Sequence, residues 1–139
     1  MAARGAYDPW QHAAELGVHV MTGVLTDARW GEYRDQERTI VMRHGLTERQ
    51  QRCTLAHELV HAERREHLSD DRVLNARQER RADRLAAQRL IPWQDYVRAC
   101  RAHGHQKAPV AVELGVTKHL LRAFERDLAE QPHLRARLA

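Results

Sequence analysis

A chain of 139 residues, 42% hydrophobic and 30% charged, is long enough to bury one core and too short for two full domains. Its formal charge of +4 comes from interspersed signs, and Lys107 and Lys118 are its only lysines, so the pattern describes solvated faces rather than a concentrated nucleic-acid surface. No run reaches the roughly 18 apolar residues of a membrane span, and Met1 to Pro9 hold no apolar leader segment. Cys53 and Cys100 are too few for a disulfide framework and fit a reducing compartment. The expected address is cytoplasmic.

Along the chain, Pro9 to Gly17 read as a short helix, with Asp8 as its cap, proline at its first position and glycine at its end. Three β-like runs follow: Val18 to Leu25, Arg29 to Arg34 and Arg38 to Arg43. Short polar breaks at Thr26-Asp27 and at Asp35-Gln36-Glu37 separate them, which predicts an antiparallel meander. Thr47 and Gln50 have the spacing of a capping box, opening a helix that runs to about His67. Ser69-Asp70-Asp71 starts a second long helix that reaches Ile91 and stops at Pro92. From Trp93 onward the pattern is two or three short helices, punctuated by Gly104 and Pro109. Strands first and helices after predict an α+β fold. The expectation is one domain over 1–139, with a core over 1–92 and a helical extension over 93–139.

The chemistry-bearing stretch is His57-Glu58-Leu59-Val60-His61, an HExxH within the first long helix. At about 100° per residue, His57 and His61 fall about 40° apart, one turn above the other, where two imidazoles can share one ion. Glu58 lies beside the pair and can act on water without being a ligand. Leu55, Leu59 and Ala62 fall on the far side and would anchor the helix in the core. HExxH alone is short enough to arise by chance, so its surroundings decide.

A catalytic zinc needs a third protein ligand and one open position. His67 reproduces the outer spacing of the metzincin pattern, but Arg64 stands where that pattern turns on glycine, and Met1, Met21 and Met42 all precede the motif. That reading fails. Glu79, on the next helix, shares a stripe with Ala82, Asp83, Ala86 and Leu90, and the two alanines permit close helix approach. Asp83, one turn on, could accept the spare ring N–H of His57 or His61. The plain alternative has both acids pairing with Arg80, Arg81 or Arg84; Asp70 and Asp71 are reserve ligands.

The blocks Thr54-Leu55-Ala56-His57-Glu58-Leu59-Val60-His61-Ala62 and Glu79-Arg80-Arg81-Ala82-Asp83-Arg84-Leu85-Ala86-Ala87-Gln88-Arg89-Leu90-Ile91-Pro92 together resemble the ImmA/IrrE family of metallopeptidases. That family joins HExxH to a downstream ExxA(N/D)xFAAxLLxP helix, preceded by a strand that Thr39-Ile40-Val41-Met42 matches. The likeness spans roughly residues 10–130. Leu85 replaces the common phenylalanine, Arg89 interrupts a leucine pair and Val60 stands where glycine is frequent. The resemblance implies a zincin-like fold, Zn²⁺ held by His57, His61 and Glu79, and Glu58 as the catalytic base. It also implies a cytoplasmic protein of the kind often encoded on phages, many of which cleave a helix-turn-helix repressor.

Val110 to Arg122 read like a helix-turn-helix core, but Lys118, His119 and Arg122 are its only obvious base-reading groups, so docking or packing is expected there before DNA contact. Tyr33, Tyr96, His103 and His105 are unranked donors for a transition state. Cys53 is expected as a buried thiol. The competing function is a regulatory module that keeps its metal for folding and docks to a repressor or DNA. An intact Glu58 favours the enzyme, because a purely structural site has no use for a base beside its ligands.

Overall fold

The structure is a computed structural model, and it describes residues 6–131; the ends of the expected single domain, at 1–5 and 132–139, lie outside the described residues. Helix α1 spans Pro9–Leu16, opened by Asp8, whose carboxylate accepts from the Trp10 and Gln11 N–H groups, and closed by left-handed Gly17. Strands β1 (His19–Gly23), β2 (Gly31–Arg34) and β3 (Thr39–Arg43) come next. Helix α2 covers Glu48–Arg64, with both bonds of the Thr47/Gln50 capping box formed. Helix α3 covers Arg72–Leu90 and is capped by Asp71, which accepts from Val73 and Leu74. Helices α4 (Trp93–His103), α5 (Lys107–Leu114) and α6 (Lys118–Glu130) complete the order. The α+β expectation and the long helices hold.

The sheet differs from the expected meander. Its order is β1-β3-β2: β2 and β3 are antiparallel, but β1 pairs parallel with β3, with His19 opposite Thr39. The sheet is therefore mixed. The physical reason is burial: Ile40, Val41 and Met42 are all buried, whereas the β1 residues are exposed or half-buried. A strand covered on both faces belongs in the middle. Residues 24–30 carry the chain past the place β3 later takes, and Arg43 Nε holds that segment by donating to the Arg29 carbonyl at 2.8 Å.

Helix α2 lies between two apolar clusters. Leu55, Leu59 and Ala62 pack with Ile40, Met42 and Ala13 on the sheet side. Cys53 and Ala56 face the other way, joining Ala86, Leu90, Ala99, Val110 and Leu121 of the helical side. Ala82 and Ala86, both fully buried, let α3 press against α2. Arg38 joins three elements, donating to Tyr33 Oη at 2.7 Å, to the Ala62 carbonyl at 2.9 Å and to the Leu16 carbonyl at 3.3 Å. None of the described helices is long and apolar enough to cross a membrane.

Candidate metal centre

Helix α2 presents His57 and His61 one turn apart, and α3 brings Glu79 across to them. The two Nε2 atoms are 3.3 Å apart, and Glu79 sets one oxygen 3.0 Å from His57 Nε2 and the other 2.9 Å from His61 Nε2. Each ring spends its second nitrogen on a carboxylate. His57 Nδ1 donates to Asp83 Oδ1 at 2.7 Å, and His61 Nδ1 donates to Glu66 Oε1 at 3.0 Å. Ionised carboxylates only accept, so each ring carries a proton on Nδ1, and both Nε2 atoms are left to converge on the Glu79 carboxylate. Positive charge is favoured where they meet, and either protons on Nε2 or a bound metal ion can supply it. Ligands roughly 2.0–2.1 Å from a tetrahedral zinc lie about 3.3 Å apart, close to the spacing here. Two imidazoles and a carboxylate fit such an ion, with a fourth position left over.

The electrostatics agree. Burial works against a cation on His57, yet the bonds to Asp83 and Glu79 outweigh it and push the ring up to about 10. His61 shifts upward as well, burial again opposing and Glu79 favouring the cation. Burial would raise Glu79, but the two imidazoles hold its carboxyl well below the usual range. Glu58, with its nearest oxygen 4.0 Å from His57 Nε2, is raised by burial, with the two histidines pulling the other way. A raised carboxylate is a better proton acceptor near neutrality.

The site floors a cleft of about 680 Å³, walled by Trp30 and Gly31 of the β2 side, Leu68 after α2, and His119 of α6. Gly31 permits the closeness of strand to helix. A Cβ there would meet Thr54 Cγ2 at 2.5 Å and Glu58 Cγ at 3.3 Å. With β1 on the far edge of the sheet, β2 is the edge strand beside the histidines.

The sequence model of the IrrE N-terminal-like domain, which defines the M78 peptidases, matches residues 13–124. The chain belongs to this family. M78 peptidases are metallopeptidases, and the match takes in both clusters, all three strands and the HExxH helix. No curated protein matches the chain.

Other residues of interest in this M78 chain lie apart from the candidate centre or beside it. Asp71 is spent on capping α3, and Asp70 is exposed. His67 lines the cleft but lies outside the His57–His61–Glu79 group. Tyr33 reaches the cleft wall, but its hydroxyl donates to Asp35 at 2.6 Å and accepts from Arg38. Tyr96 donates to Glu125 in the helical cluster, and His103 pairs with Glu113. Cys53 is buried and accepts the Thr117 N–H at 3.4 Å. Two residues that sequence reasoning did not single out for the site join it. Glu66 arrives because α2 ends at left-handed Arg65, which turns the chain back on His61. His119, considered only for DNA reading, instead meets Asp83 Oδ2 at 2.8 Å.

Proposed function

We propose that this chain is a zinc endopeptidase of the cytoplasm, acting as one domain over 1–139 with the extension at 93–139 included, and that its substrate is a helix-turn-helix repressor. The observation that carries the proposal is the convergence of two Nε2 atoms and the Glu79 carboxylate, with Glu58 beside them. His57, His61 and Glu79 would hold the zinc, and Asp83 would orient His57 through its Nδ1–H. Zinc bound there would polarise the scissile carbonyl and lower the pKa of the attacking water.

The rest falls to the chain's own groups. An extended substrate segment adds to the open edge of β2 by main-chain hydrogen bonds, which lays its backbone across the histidines. Glu58 takes the proton of the attacking water and returns it to the leaving amine. Burial suits both halves of that cycle, since it keeps bulk water away and raises the carboxylate toward neutrality. Trp30 and Leu68 offer apolar walls for side chains flanking the cleaved bond.

Glu58→Gln tests the reading, because the amide keeps the shape and cannot accept the proton. Loss of a general base costs on the order of a hundredfold or more in rate. Co-expression with a helix-turn-helix repressor, taken from beside this gene if one is encoded there, should yield repressor fragments and release its promoter, and Glu58→Gln should do neither. Promoter release without fragments in both chains would replace the peptidase with a docking module.

A further inference from the structure

The Asp83 carboxylate is shared. Oδ1 accepts from His57 Nδ1 at 2.7 Å and Oδ2 pairs with His119 Nε2 at 2.8 Å, so one side chain of α3 joins an imidazole of α2 to an imidazole of α6. The end of α6 that carries His119 is fixed independently of this bond. Arg52 donates to the Gly115 carbonyl at 2.9 Å, and the Thr117 N–H meets the sulfur of Cys53, one turn before His57. Val116, Leu120 and Leu121 are buried on either side of it. The His119 side chain itself is 71% exposed on the cleft, so it contributes little packing and has one evident bond, to Asp83.

We infer that His119 is a positioning residue for the metal centre: it holds the Asp83 carboxylate in the orientation that meets His57 Nδ1, and so makes α6 part of the metal site. A carboxylate with one partner can rotate and share its oxygens with water. With a donor on each oxygen it has one orientation, and the Nδ1–H tautomer of His57, with Nε2 free for a metal, is fixed with it. His119, named in the sequence among the few base-reading groups of residues 110–122, has its ring engaged at the cleft. The inference rests on His57 being a metal ligand.

The test is a double-mutant cycle on metal affinity, measured by chelator competition with zinc and by the visible bands of the cobalt-loaded chain. Removing a carboxylate that orients a ligating histidine weakens metal binding about 10- to 100-fold, which is the expectation for Asp83→Ala. His119→Ala, acting one bond further out, should cost about half of that on a logarithmic scale, or about three- to tenfold. His119→Gln, which keeps a donor, should restore most of the affinity. In the Asp83→Ala background His119→Ala should change nothing, because its route is gone. Thermal stability should stay near that of the native chain in both His119 variants. An unchanged affinity in His119→Ala overturns the inference, as does an equal loss in both backgrounds or a Gln variant as weak as the Ala variant. A native chain that binds neither zinc nor cobalt overturns the metal-ligand reading and this inference with it; bound metal with an additive cycle overturns the inference alone.

Discussion

Glu66 accepts the Nδ1–H of His61 at 3.0 Å from beyond the end of the helix that carries His61. Its other oxygen receives Arg81 of α3 at 3.2 Å, so the carboxylate ties the end of α2 to α3 while it fixes the ring. Glu66→Ala should therefore weaken zinc binding about 10- to 100-fold. Glu66→Gln, which still offers an oxygen, should lose less. Chelator competition measures both. An Ala variant with native affinity would show that His61 is oriented by packing alone.

Metal content should follow the geometry of the three converging side chains. His57→Ala, His61→Ala and Glu79→Ala should each lose the roughly one zinc per chain expected of a three-ligand site, and Glu58→Gln should keep it. Asp71→Ala should keep its metal too and lose about 1 kcal/mol of stability, because that carboxylate caps α3. Elemental analysis beside thermal melts separates the two effects. Full zinc in Glu79→Ala would remove Glu79 from the ligand set.

Gly31→Ala should destabilise the fold by about 1–3 kcal/mol, the usual cost of forcing a methyl into a packed contact. The contact responsible is Thr54 Cγ2, 2.5 Å from where the new carbon would sit. Thr54→Ser removes that methyl and should recover part of the loss in the double variant. Denaturant titration of the four chains gives the coupling. Additive losses would place the strain elsewhere.

All three tyrosines should resist ionisation. Burial pushes Tyr7 up to about 12, against the pull of Arg89. Burial also raises Tyr33, aided by its bond to Asp35, and raises Tyr96, aided by Glu125. An unfolded tyrosine loses its proton near pH 10. Above that pH the unfolded chain gives up protons that the folded chain keeps. The stabilisation is complete below about pH 10 and is lost as pH rises through the folded values. Ultraviolet titration should show all three phenolates forming above pH 10, Tyr7 near 12, with ionisation accompanied by unfolding. A tyrosine that ionises freely near pH 10 in the folded chain would contradict the burial of its hydroxyl.

What the sequence made legible was whatever repeats with a helical period or sits at a helix end. His57 and His61, then Glu79 and Asp83, are pairs four residues apart, so knowing the helix places each pair on one face. Thr47, Gln50 and Asp71 announced the starts of α2 and α3 through their own side-chain bonds. Strand order was harder to read, because short polar breaks favour hairpins and say nothing of a segment that passes over a neighbour. The unbroken run Ile40-Val41-Met42 was the available sign of a central strand. Glu66 and His119 were hidden for another reason. Each reaches the centre only after a chain reversal, at left-handed Arg65 in one case and at Gly115 in the other, and neither shares a periodic face with the group it meets.

Among the described residues, strand β2 has no neighbouring strand on one side of its backbone, right beside the cleft. An edge ready to receive a guest peptide is equally ready to receive the same edge of another molecule, which is how sheets begin to aggregate. The strand carries its own deterrent. Glu32 lies between Arg29 and Arg34 and bonds both, at 3.3 and 3.0 Å, so ionic groups crowd a stretch only four residues long. Two copies approaching edge to edge would have to desolvate those ion pairs for very few hydrogen bonds. The same charges set a toll on any guest, favouring segments whose own side chains can take up Glu32 or its arginines over those that merely extend.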